Sequence, residues 1–190
     1  KRLEDTPDQQ ILYLTYQAGL GSPMGRVSLG EPETVATITA PGVRRFWSEH
    51  CGPENLLISV ASGLSHQDVV DSIHTAFGEW PQKSDPLENT HPISIADRTV
   101  HHQKEIEQEH IAMLFGGVSR GHELYYAGLL AIAVLSAGGS SRLFTEVREK
   151  RGLVYTVYAT YRARKQGGLV FLYAGTTADR ADETLSVCRN

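Results

Sequence analysis

The sequence has few cysteines, no long apolar run and no excess of basic residues. Its two cysteines, Cys51 and Cys188, stand far apart and outside any C-x-x-C spacing, which argues against a disulfide framework or a cysteine metal cluster. No apolar run approaches the roughly 18 residues that a membrane-spanning helix needs. Asp and Glu number 22 against 18 Lys and Arg, so there is no basic footprint for nucleic acid. We therefore expect neither a nucleic acid nor a membrane as a partner.

Eight histidines invite a metal site, but their spacing does not support one. The densest group, HHQKE at residues 101–105, would place His101 and His102 on opposite faces of a strand. His110, in the run EQEHIAM, is interpreted as a strand residue with a hydrogen-bonded ring in preference to a catalytic residue. The sequence thus predicts no metal ligand and no catalytic residue in this chain.

The most informative stretch is residues 138–161, GGSSRLFTEVREKRGLVYTVYATY. It opens with two glycines and two serines that are predicted to position a loop and to cap the helix after it, Gly138, Gly139, Ser140 and Ser141. Gly152 suits the position after a helix end that requires a positive φ. The residues that follow are β-branched and aromatic, which favours a strand. The pattern predicts a loop, a short helix and a strand in direct succession.

Two residues of this stretch are candidates for substrate binding. By residue type alone, Arg148 is a solvated helix cation and Tyr155 a half-buried strand aromatic. The run SSRLFTEVREKRGLVY, however, closely resembles the signature of the C-terminal half of the pitrilysin or insulinase-type (M16) zinc peptidases. Within that family it is most similar to the bacterial relatives of mitochondrial processing peptidase. The Arg of R-E-K and the Tyr after G-L are a substrate-binding pair there, and the resemblance implies this role for Arg148 and Tyr155.

The resemblance implies that the chain is part of a zinc-dependent oligopeptidase or processing peptidase. Zinc in that family is held by an H-x-x-E-H string on a helix, which this sequence lacks. We therefore expect the zinc ligands upstream of Lys1 and the chain alone to be inactive. The full-length protein is expected to bind zinc, to act on peptides and to form a homodimer or heterodimer with another half of the same family.

Two other hypotheses stay open. A non-catalytic partner subunit would hold substrate or support a complex without cleaving, and family members of that kind often lose the Arg and Tyr pair. This chain has both residues, which favours the peptidase. An unrelated α+β binding module would require the match over GGSSRLF and GLVY to have arisen by chance.

The predicted fold is α+β, with two-layer units of antiparallel or mixed sheet packed with helices and truncated at both ends. Residues 1–81 are predicted to be the C-terminal part of the zinc-bearing first domain, and residues 98–190 most of a second, substrate-clamping domain. Residues 82–97 are rich in proline and polar residues, which indicates a linker. Strands are predicted at residues 54–63, 108–118, 153–161 and 169–176, residues 99–107 are moderately strand-like, and helices are predicted between the strands. Pro7 with Asp8 is predicted to begin a helix that ends at Gly19 or Gly21, and Ser65 with Asp68 to begin another.

Overall fold

The computed structural model describes residues 6–81 and 91–190. Its internal contacts divide the chain into two units. One unit comprises the residues up to Leu29 and from His91 onward, and the other runs from Gly30 to Thr90. Across the described ranges, no helix has both the length and the apolar character needed to cross a membrane.

The larger unit is built on a three-stranded antiparallel sheet. Its strands are β1 (Glu109–Gly117), β2 (Thr156–Arg164) and β3 (Gly167–Thr176), and β3 lies between the other two. β1 and β3 lie within two residues of their predicted bounds, whereas β2 begins and ends three residues later than predicted. Residues 99–107, predicted as moderately strand-like, form no strand. Burial along β3 is nearly continuous because this strand is paired on both sides and covered on both faces.

One face of the sheet packs against α5 (Tyr125–Ser136), α6 (Ala181–Arg189) and a short π-helix (Phe144–Glu149). The core on this face is formed by seven buried residues, Leu143, Val147, Leu153, Val154, Ala159, Leu172 and Ala174. Leu172 and Ala174 lie two positions apart on β3 and so share one face of the sheet, and Ala159 of β2 is the register partner of Leu172. The helical stretch after the glycines is thereby fixed to the sheet.

The opposite face of the sheet is covered by α1 (Pro7–Leu20). This helix begins at a proline and is followed by Gly21 with φ +62°, as the sequence predicts. The ring of Tyr16 meets that of Phe171 edge-on, with the centroids 6.1 Å apart. Gly19 permits a close approach, since a Cβ there would lie 2.8 Å from a methyl carbon of Leu114.

The smaller unit contains α2 (Pro32–Ala36), α3 (Ala40–His50) and α4 (His66–Phe77). The predicted cap of α4 is present, because the Ser65 hydroxyl accepts the Asp68 N–H at 3.2 Å. Trp47 and Trp80 stack with ring centroids 6.0 Å apart.

The prediction of a strand at residues 54–63 is wrong. Pro53–Asn55 form a 3-10 turn, the residues after it are irregular, and Leu57 is 93% exposed. The apolar run has no strand to pair with among the described residues, whose sheet consists of β1, β3 and β2. An apolar run of this kind forms a buried strand only when another strand is present to pair with it.

The two compact units divide the chain at other positions than the predicted domains, whose boundaries stay a prediction. Residues up to Leu29 group with the second half of the chain because α1 packs on its sheet, and the Ala96 N–H donates to the Gly19 carbonyl at 2.7 Å. In the predicted linker, residues 82–90 lie outside the described residues, and residues 91–97 are irregular. The relation of residues 1–81 to a zinc-bearing domain stays a prediction.

Candidate functional site

The glycine and serine loop leads directly into the helix that carries Arg148. Gly138 has φ +83°, a left-handed conformation that favours glycine. The Ser141 N–H donates to the Gly138 carbonyl at 3.2 Å, and the Ser141 carbonyl accepts the Thr145 N–H at 2.9 Å. Ser141 is buried, whereas Gly139 and Ser140 are exposed. The loop thus turns the chain before the helix through backbone hydrogen bonds, and the π-helix has no side-chain cap hydrogen bond at its start. The predicted role of the loop in positioning the site stays a prediction.

Arg148 lies on the outer side of the π-helix, next to the buried Val147. Its guanidinium carbon lies 5.0 Å from the centroid of the Phe144 ring. Within residues 6–81 and 91–190, no carboxylate lies within 4.0 Å of this guanidinium. Its donors are therefore available to a ligand.

The neighbouring cations are engaged instead with Glu146. This carboxylate accepts hydrogen bonds from Lys150 at 2.7 Å and from Arg151 at 2.8 Å. These two hydrogen bonds lower the pKa of Glu146 from 4.5 to about 2. The Glu146 carboxylate thus pairs with Lys150 and Arg151, whereas Arg148 contacts the Phe144 ring.

A tight reversal joins the π-helix to Tyr155, which lies immediately before β2 and not within a strand as predicted. Gly152 has φ +61°, as the sequence predicts for the residue after the helix. The Gly152 N–H donates to the Arg148 carbonyl at 2.9 Å, so the two candidate residues are connected by a closed turn. The Tyr155 N–H donates to the Gly175 carbonyl at 2.9 Å, and the Tyr155 side chain is 59% exposed. Both candidate side chains are therefore exposed, on backbone that is held by hydrogen bonds.

The described residues do not offer a metal site. No group of three or more His, Cys, Asp or Glu among them is arranged to hold an ion. His101 and His102 are both exposed and lie outside any strand. The zinc ligand set that the resemblance implies is thus not found in the described part of this chain.

A second polar cluster lies on the α1 face of the sheet. The His110 Nδ1 lies 2.8 Å from the Tyr173 hydroxyl, so the His110 ring is hydrogen-bonded as interpreted from the sequence. Burial lowers the pKa of His110 and raises the pKa of Tyr173 to about 12. Both residues line a cavity of about 530 Å³, together with Asp8 and Tyr158. Tyr173 was not singled out from the sequence, because only the pairing of β1 with β3 brings it to His110.

Comparison with known proteins identifies the family. A family model described as the peptidase M16 inactive domain matches residues 37–190, which include the loop, Arg148 and Tyr155. The chain belongs to the M16 peptidase family. The resemblance of the sequence to this family is thereby confirmed.

Two bacterial relatives show how much of an M16 protein the chain represents. It is 32% identical to an uncharacterized zinc protease of Streptomyces coelicolor, over 98% of this chain and 42% of that protein. It is 31% identical to the uncharacterized zinc protease YmxG of Bacillus subtilis, over 96% of this chain and 44% of that protein. The chain therefore spans less than half the length of these M16 relatives.

Solved structures confirm the α+β fold class. A peptidase M16 inactive domain from Pseudomonas fluorescens matches with a TM-score of 0.83 at 23% identity, over 98% of this chain and 46% of that one. A chain of complex III2 from Candida albicans matches with a TM-score of 0.81 at 16% identity, over 98% of this chain and 46% of that one. At these identities the likeness shows the M16 fold alone.

Proposed function

We propose that this chain is the substrate-holding part of a zinc-dependent M16 endopeptidase that acts on peptides. The observation that supports the proposal best is the exposed pair Arg148 and Tyr155, which lie on either side of the hydrogen-bonded turn at Gly152. Such a turn limits how far the two side chains can move apart. The naming of relatives as zinc proteases is consistent with this role.

The chemistry of the pair suits an extended peptide. A guanidinium carries five N–H donors in a fixed plane, and a phenol adds one O–H donor. Together they can donate to the carbonyl oxygens of a peptide and hold it in one register. Donors close to a scissile carbonyl also stabilise the oxyanion that forms in the transition state.

Zinc would supply a polarised water for hydrolysis in such an enzyme. The described residues of this chain provide no ligand set for zinc. We therefore propose that the full-length protein binds zinc through residues outside the described ones, and assign to this chain no step that involves the metal. We also propose that this half acts opposite another M16 half in a homodimer or heterodimer.

A non-catalytic partner subunit is the second candidate. The matched family model is itself described as an inactive domain, and the described residues contain no catalytic metal cluster. In this role Arg148 and Tyr155 would bind a peptide that another subunit cleaves. The two candidates differ in whether the protein cleaves a peptide without a partner.

The test uses the product of the complete open reading frame that encodes this chain. Cleavage of a quenched fluorogenic peptide is measured with and without a zinc chelator, for the wild type and for Arg148→Ala and Tyr155→Phe. Each variant is expected to lower kcat/KM about tenfold or more, which corresponds to at least ~1.4 kcal/mol of transition-state stabilisation. Arg162→Ala and Tyr126→Phe are the matched controls, because both side chains are exposed elsewhere on the same unit, and they should stay within about twofold of the wild type.

The outcomes separate the candidates. Cleavage that the chelator abolishes and that both variants weaken supports the peptidase. A product that contains no zinc and cleaves nothing supports the partner subunit. Zinc-dependent cleavage that neither variant changes would show that the pair does not bind substrate.

A further inference from the structure

The turn between Arg148 and Tyr155 is attached to the π-helix through its N–H groups. The Gly152 N–H donates to the Arg148 carbonyl at 2.9 Å, and the Leu153 N–H donates to the Val147 carbonyl at 3.0 Å. Both acceptors lie in the π-helix. The start of the turn therefore moves with the helix that carries Arg148.

The carbonyl groups of Gly152 and Leu153 are hydrogen-bonded to residues outside the π-helix, at and after the end of β3. Arg180 donates to the Gly152 carbonyl at 2.7 Å, and the Thr176 hydroxyl donates to the Leu153 carbonyl at 2.5 Å. All four polar backbone groups of Gly152 and Leu153 are thus hydrogen-bonded within the protein. A turn that is bonded on both sides transmits the position of the helix to the strand that follows.

The two carbonyl attachments differ in their environment. Thr176 and Thr184 are both 0% exposed, and the Thr184 hydroxyl donates to the Thr176 oxygen at 3.3 Å. Arg180 is exposed, so water can replace its hydrogen bond to Gly152. Water has no access to replace the bond from Thr176, and a buried carbonyl left without a donor is costly. Thr176 is therefore the attachment that the turn depends on.

The Tyr155 side chain has little packing of its own to fix its direction. It is 59% exposed, so its placement follows from the backbone on either side of it. The Tyr155 N–H donates to the Gly175 carbonyl. Thr176, which follows Gly175 in β3, donates its hydroxyl to the Leu153 carbonyl. Two adjacent residues at the end of β3 thus hold the backbone that presents Tyr155.

We propose that Thr176 is a positioning residue, which sets the placement of Tyr155 relative to Arg148 through its buried hydrogen bond to the Leu153 carbonyl. This inference rests on the proposed role of Tyr155 in substrate binding. Thr176 does not touch substrate. Its hydroxyl is the required group, and its methyl group only fills space.

The experiment compares Thr176→Val, which keeps the shape and removes the hydroxyl, with Thr176→Ser, which keeps the hydroxyl. Each is made in the wild type and in Tyr155→Phe, in the product of the complete open reading frame. The value of kcat/KM for a fluorogenic peptide is measured well below the melting temperature of every variant. Thr176→Val is expected to lower it about tenfold in the wild type, and Thr176→Ser to stay within about twofold. In the Tyr155→Phe background, Thr176→Val should cause no further loss.

Two results would overturn the proposal while leaving the proposed function intact. The first is a wild-type value of kcat/KM in Thr176→Val. The second is the same loss from Thr176→Val in both backgrounds, which is the signature of a general structural role. If Tyr155→Phe alone cleaves as the wild type does, the proposed role of Tyr155 fails and this inference fails with it.

A further variant covers the case in which Thr176→Val does not fold. Thr184→Val removes only the hydroxyl that donates to Thr176 and leaves the bond to Leu153 in place. It is expected to lower kcat/KM about threefold in the wild type and to have no effect in Tyr155→Phe. Equal losses in the two backgrounds would again contradict a positioning role.

Discussion

The guanidinium carbon of Arg148 lies 5.0 Å from the centre of the Phe144 ring, one turn earlier on the same helix. A cation held over an aromatic face at an exposed site gains about 0.5–1 kcal/mol. The ring therefore restricts the guanidinium to one side of the helix. This contact gives the exposed Arg148 a preferred direction. No carboxylate in the described part of the chain pairs with Arg148, and such a carboxylate would compete with a substrate.

Replacing the ring tests this contact. In the product of the complete open reading frame, Phe144→Leu is expected to lower kcat/KM for a peptide about two- to fivefold, the equivalent of ~0.5–1 kcal/mol. Phe144→Tyr keeps an aromatic face and should retain activity within about twofold. Equal activity in the leucine and tyrosine variants would show that the ring does not direct Arg148.

Glu146 is expected to stabilise the fold in a pH-dependent manner. Hydrogen bonds from Lys150 and Arg151 lower its pKa to about 2, so the folded protein keeps this carboxylate ionised at a pH where the unfolded chain protonates it. The contribution is therefore complete above about pH 4.5 and is lost as the pH falls toward 2.

The measurement is the melting temperature of the wild type and of Glu146→Gln between pH 6 and pH 2.5. The wild type should be the more stable at pH 6, and the difference should shrink as the pH falls below 4.5. Glu149→Gln, on the same helix, is the control and should show a smaller difference at pH 6. A difference that grows on acidification would contradict the assigned hydrogen bonds.

Gly152 is expected to tolerate side chains poorly for a conformational reason. Its φ of +61° costs a residue with a Cβ about 1–2 kcal/mol, although an added Cβ would meet no atom within 4 Å. Gly152→Ala should therefore lower the melting temperature and, by shifting the turn, the proposed peptidase activity of the full-length protein. Gly121→Ala also enters open space, but at a position without a positive φ, and should leave both unchanged. Equal effects of the two substitutions would exclude backbone strain as the cause.

Tyr173 is expected to stabilise the sheet through its hydrogen bond to His110. Tyr173 is 5% exposed as a residue, and its hydroxyl oxygen lies 2.8 Å from the His110 Nδ1. Tyr173→Phe should destabilise the protein by about 0.5–1.5 kcal/mol, as measured by denaturant unfolding. His110→Gln combined with Tyr173→Phe should cost less than the sum of the two single variants, because each removes the same bond. Additive losses would show that the two groups do not interact.

Several structural predictions followed from local signals. Pro7 and Gly21 bound α1, Ser65 caps α4, and Gly152 adopts a positive φ, because each of these depends on residues within a few positions along the chain. The prediction for residues 54–63 failed for the opposite reason. An apolar run forms a strand only beside another strand, and the local sequence does not contain that partner.

The sequence by itself determined the family, through the run SSRLFTEVREKRGLVY, and the candidates Arg148 and Tyr155 within it. Only the tertiary structure decided which hydrogen bonds fix the backbone between these two residues. Thr176 donates to the Leu153 carbonyl from 23 positions later in the chain, and no periodicity or motif near either residue predicts that hydrogen bond. It exists because the β2–β3 hairpin and the packing of α6 bury a hydroxyl beside a carbonyl, and a buried polar group must find its partner wherever the fold brings one.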